Sequence, residues 1–129
     1  HFAFVRGHPG ADVPVLVRVH VRNLLSDLLH LQRSDLGLPL SAALAGIGRS
    51  ECGIVVVLAD RNEPDAVLAR LKQQPEPAAG VAEWRRNGAG AQILADLGAR
   101  RLRVLGTPRR HVGLSGYGLE VVEVIPSPA

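Results

Sequence analysis

The chain has 129 residues, 47% of them hydrophobic, 21% charged and only 3% aromatic, with a formal net charge of +3. That length suits one domain able to bury a sizeable core. The single cysteine, Cys52, rules out an internal disulfide and suits a reducing cytoplasm. The longest apolar run, Cys52 to Ala59, falls far short of the ~20 residues that span a bilayer.

The positive charge is almost entirely arginine, with Lys72 the sole lysine, and acidic residues are scattered among the arginines. Phe2, Phe4, Trp84 and Tyr117 are the whole aromatic supply, too few for the stacking platforms of single-strand binders. Neither a nucleic acid nor a membrane is expected as partner. Residue 1 is His and the chain has no methionine. It is therefore expected to be a piece excised from a longer protein.

In chain order, Val13 to Val21 ("VPVLVRVHV") is β-branched and alternating, and predicts a strand. Pro39 opens a helix that places Leu40, Ala43, Leu44 and Ile47 on one face. Gly53 to Leu58 ("GIVVVL") is a continuous apolar run, the pattern of a strand covered on both faces. Pro64 begins a second helix with Val67, Leu68 and Leu71 inward, followed by a loop over Gln73 to Gly80. A third helix covers Ala89 to Leu97 with Ile93, Leu94 and Leu97 inward, and Gly98 stands where helices end. Arg101 to Leu105 and Leu119 to Val124 read as strands. No internal repeat is present. Strands alternating with helices predict an α/β fold on a mixed sheet with flanking helices.

From Gly90 the chain reads "GAQILADLGARRLRVLGTPRRHVGLSGYGLEVVEVIP". This resembles the C-terminal half of GTP cyclohydrolase II, with its Gly-Ala-Gln-Ile-Leu, Asp-Leu-Gly, Tyr-Gly-Leu and Val-Glu motifs. "PVLVRVHVRNLLSDLL" resembles that family's Pro-Val-Leu-Val-Arg-Val-His-Ser-Glu-Cys-Leu-Thr-Gly-Asp, and "HFAFVRG" a strand that lies inside the family domain. The resemblance implies one cyclohydrolase-like domain over residues 1–129 that lacks its first strand or strands.

The resemblance also implies a chemistry: GTP opened to a diaminopyrimidine with release of formate and pyrophosphate, on a zinc held by three cysteine thiolates. Those three positions carry Asn23, Ser34 and Leu36, while Arg33, Asp35 and Gly37 of the "QRSDLG" loop still match. No zinc and no other cofactor is therefore expected. His20, Asp27, His30 and Asp35 are the remaining metal-ligand candidates; His20 reads as a strand residue, Asp27 and Asp35 as turn caps.

The phosphate loop of the family is replaced by "DRNEPDAV", Asp60 to Val67, without glycine. A guanine-contacting segment is missing around "PEPAAG". The family's Thr-Asn-Asn-Pro is shortened to Gly106-Thr107-Pro108. Its catalytic Asp-x-Arg aligns with Glu83-Trp84-Arg85, a vestigial pair. Arg85, Thr107, Arg109 and Arg110 are the candidate anion site, since arginine forks suit phosphate oxygens.

The expectation is a degenerate domain of a riboflavin-biosynthesis protein without a catalytic residue of its own. It would be fused to an N-terminal 3,4-dihydroxy-2-butanone 4-phosphate synthase, have a structural or regulatory role, and form a homodimer. The alternatives are a module binding a nucleotide or other phosphate-bearing ligand, and a metal-independent enzyme on a phosphorylated substrate.

Overall fold

The computed structural model describes residues 1–22, 24–31, 38–59, 72, 88–106 and 114–126. Strands β1 (Phe2–Arg6) and β2 (Val15–Val21) are followed by a one-turn helix α1 (Leu24–Asp27) and by α2 (Leu40–Gly48). Strand β3 (Gly53–Leu58), helix α3 (Gly88–Asp96) and strand β4 (Arg101–Leu105) come next, then a 3₁₀ turn (Leu114–Tyr117) and β5 (Glu120–Ile125). Among the described residues no helix is long and apolar enough to cross a membrane.

The five strands form one mixed sheet in the order β1-β3-β2-β4-β5. β2 lies parallel to both β3 and β4, β5 lies parallel to β4, and β1 runs antiparallel along the β3 edge. The α/β fold on a mixed sheet is thus as the sequence predicts. Alternation along the strands divides the core into two layers. Val15, Val17, Val19, Ile54, Val56, Leu58, Leu102 and Val104 pack with Ala91 and Leu94 of α3 on one face. Leu16, Val55, Val57 and Leu105 pack with Ala43 and Ile47 of α2 on the other. All six residues of β3 are buried, as an uninterrupted β-branched run requires when both faces are covered.

Three details depart from the sequence reading. β2 begins at Val15 rather than Val13, because Pro14 has no N–H to give the ladder and Val13 is left exposed. Leu44 is exposed, not inward: the buried stripe of α2 is confined to Ala43 and Ile47, with Leu40 and Ala42 at its margin. The bounds of α3 and β5 each shift by a residue, to Gly88–Asp96 and Glu120–Ile125. The helix predicted from Pro64 and the loop over Gln73 to Gly80 lie outside the described residues, apart from Lys72, which is helical and exposed.

Gly98 closes α3. With φ +93 it lets the amide of Ala99 reach the Leu94 carbonyl at 3.1 Å and its own amide reach that of Ala95 at 3.0 Å. This paired-bond ending uses the left-handed conformation that glycine adopts at little cost. The Arg100 guanidinium adds bonds to the carbonyls of Ala95 and Ala99, placing a cation at the negative end of the helix. One residue of β5, Val122, is extra in the pairing with β4 and forms a bulge beside Leu102 and Arg103.

Candidate functional site

The connection from β2 to β3 carries α2 on one face of the sheet, and the connection from β3 to β4 carries α3 on the other. Two neighbouring parallel strands whose chains leave for opposite faces open a crevice at their carboxyl ends. In open α/β sheets this is where ligands bind. The residues described around that end are His20, the last turns toward Arg22, the α1 turn, the start of α2 and Gly106.

His20 is the sixth residue of β2 and is buried on the α2 face. Its Nε2 lies 2.7 Å from Asp27 Oδ2. Asp27 is the last residue of α1, a turn anchored by the buried Leu25 and ended by His30 at φ +56, an uncommon conformation for a residue other than glycine. The second oxygen of the same carboxylate, Oδ1, accepts the backbone N–H of Leu40 at 3.0 Å and is 3.4 Å from the Ser26 hydroxyl. Thus one carboxylate joins the end of β2 to the start of α2. It is not the local turn cap that the sequence suggested.

On the same face, the Arg18 guanidinium lies against the end of β4. A Cβ on Gly106 would stand 2.9 Å from Arg18 Nη1, and the φ of +143 at this residue is one that side chains rarely tolerate. The backbone conformation is what favours glycine here, since the flexible end of Arg18 could shift to make room. On the α3 face, the Tyr117 hydroxyl reaches the first residue of α3, 2.6 Å from where a Cβ on Gly88 would sit.

The lost zinc positions and the vestigial and anion-site residues follow the carboxyl ends of parallel strands in the chain: Asn23, Ser34 and Leu36 after β2, Glu83 and Arg85 after β3, and Thr107, Arg109 and Arg110 after β4. All eight lie outside the described residues, as does Asp35. Among the described residues, no three His, Cys, Asp or Glu side chains come together as a group that could hold a metal. Of the other ligand candidates, His20 and Asp27 are brought together and His30 is exposed. Cys52 precedes the amino end of β3, half-buried, with its thiol pushed above the usual range by burial. At ~3.3 Å per strand residue it stands about 20 Å from the carboxyl ends.

Sequence reasoning missed the joint role of His20 and Asp27. The available signal was that both match the His and the final Asp of the Val-Arg-Val-His to Gly-Asp motif, seven residues apart.

A parallel-cored α/β domain with its crevice at the strand carboxyl ends defines the class. The profile of the GTP cyclohydrolase II family matches residues 1–126, and the chain belongs to that family. A 3,4-dihydroxy-2-butanone 4-phosphate synthase of Pseudomonas syringae pv. tomato is 41% identical over 134 residues, covering 99% of this chain and 36% of that protein. Riboflavin biosynthesis protein RibBA of Chlorobium phaeovibrioides is 37% identical, with 98% of this chain and 34% of the relative covered. A second 3,4-dihydroxy-2-butanone 4-phosphate synthase, from Pseudomonas aeruginosa, is 37% identical over 98% of this chain and 36% of its own length. The chain spans about a third of the relatives it matches.

Proposed function

We propose that this domain performs no GTP chemistry and serves a longer riboflavin-biosynthesis protein as a structural or regulatory domain beside a 3,4-dihydroxy-2-butanone 4-phosphate synthase. The observation that carries the reading is the donor set: Asn23, Ser34 and Leu36 stand where the family resemblance expects three thiolates. Asparagine and serine are poor zinc ligands and leucine is none. Cys52 cannot substitute, because it lies at the opposite end of β3 and burial disfavours its thiolate. The residues present do not fit the family's zinc. The two Pseudomonas relatives, named for the synthase reaction, support the fusion.

The edge of the sheet supports a larger parent. All five residues of β1 are exposed, Phe2 at 68% and Phe4 at 51%, on a strand with one side unpaired among the described residues. Apolar edges of this kind are normally covered. On this reading a further strand of the parent pairs with β1, and the protein works as a homodimer in the cytoplasm. Any phosphate-bearing ligand binds Arg85, Thr107, Arg109 and Arg110.

Elemental analysis of the purified protein tests the reading. The expected result is zinc well below stoichiometry after mild chelation. About one zinc per chain that resists chelation would overturn it.

A further inference from the structure

We propose that Asp27 is a positioning residue whose single carboxylate sets the imidazole tautomer of His20 and caps helix α2, so fixing where the chain leaves β2 and where it returns. The proposal stands on geometry within the described residues and is independent of the degenerate-enzyme reading.

Consider first the start of α2. Its first-turn amides need acceptors, as at every helix N-terminus. The residue at the capping position is Pro39, which makes no side-chain capping bond, and the first turn holds no acidic residue. The acceptor comes from thirteen residues upstream, as Asp27 Oδ1 takes the Leu40 N–H at 3.0 Å. A carboxylate is the group that a helix N-terminus favours, both as acceptor and as negative charge.

Now consider His20. Its ring is 2% exposed, and its Nδ1 is buried with no hydrogen-bond partner. A carboxylate can only accept, so the bond at 2.7 Å requires the proton on His20 Nε2. A proton on Nδ1 would be a buried donor with nothing to accept it, which is costly. The geometry therefore assigns the Nε2–H tautomer with a bare Nδ1. Among the described residues on this face, α2, "LSAALAGIG", has no ionisable side chain, β3 presents Val55 and Val57, and Arg18, two residues before His20 on β2, is a donor only and cannot accept a proton from the ring. The carboxylate that orients His20 is thus the one that caps α2, and neither contact can move without the other.

The two contacts can be separated by substitution. Asp27→Asn keeps an oxygen for the Leu40 amide but turns an NH₂ toward His20, so the ring must accept at Nε2 and carry its proton on Nδ1. Asp27→Ala removes both contacts. In ¹⁵N-labelled protein at neutral pH, long-range imidazole spectra should show Nε2–H in the native chain and Nδ1–H in Asp27→Asn, with Leu40 amide exchange little changed. In Asp27→Ala, exchange at Leu40 should be about five- to tenfold faster relative to Val55, the factor that a lost cap implies. A native ring protonated on both nitrogens overturns the proposal, as does an Nε2–H ring in Asp27→Asn or equal Leu40 protection in Asp27→Ala and the native chain. If Asp27→Ala does not fold, the tautomer in the near-isosteric Asp27→Asn decides alone.

Discussion

The two ends of the parallel strands are built differently. At the amino ends the described ties are mostly backbone bonds: the Leu16 amide to the Cys52 carbonyl and the paired bonds around Gly98, with the Ser50 hydroxyl on the Ile47 carbonyl. At the carboxyl ends a side-chain carboxylate makes the tie, Asp27 joining His20 of β2 to the Leu40 amide of α2. The segments that resemble the family most closely, "VRVH" in β2, "GAQIL" in α3 and "EVVEV" in β5, form the sheet and its cover. The departures, from Asn23 to the shortened Gly106-Thr107-Pro108, follow the carboxyl ends. Framework and chemistry are separable: packing holds the sheet whatever the loops carry, and function resides in sites set on the fold.

The sharpest way to exploit that contrast is to return the ligands. Asn23→Cys, Ser34→Cys and Leu36→Cys together should restore about one zinc per chain, an interaction of roughly 10–16 kcal/mol for structural sites. Equilibrium dialysis checks this, and a triple variant without bound zinc would show that the loop frame has been lost along with the ligands. GTP should still not be hydrolysed. A bound water needs guanine held against it and the phosphates neutralised, and "DRNEPDAV" offers no glycine to cradle them.

Next in size is the framework. Leu94 is fully buried between α3 and the sheet, so Leu94→Ala should cost about 2–5 kcal/mol in denaturant unfolding. A loss below about 1 kcal/mol would mean that α3 is not part of the core.

How far this was legible in the sequence follows the same division. β3 was readable because six consecutive apolar residues admit few other arrangements, and the end of α3 because Gly98 marks it. The one-turn α1 and the 3₁₀ turn were not, since four residues are too few to show a period. Leu44 was misplaced because helical spacing gives the apolar stripe but not its width. At the site, the resemblance identified positions, and chain order puts all of them after strand carboxyl ends. The tie through Asp27 escaped because capping rules look for an acceptor at the residue before the helix. Here that residue is Pro39, and the acceptor comes from another turn.

Smaller effects refine the comparison. Pyrophosphate titration should shift the resonances of Arg85, Thr107, Arg109 and Arg110, and Arg109→Ala with Arg110→Ala should weaken binding about tenfold, as for one charge-assisted bond of about 1.5 kcal/mol. Unmoved resonances would remove the anion site. The raised thiol of Cys52 predicts slower alkylation near neutral pH than for a free cysteine, with the difference narrowing as pH rises. Equal rates at neutral pH would show that burial does not control it.

The central claim is that the fold persists without the family's chemistry. Formate released from GTP by the longest chain the gene encodes, supplied with zinc, tests it most directly. The account predicts no release above a no-enzyme control. Sustained release that is abolished by chelation would contradict it.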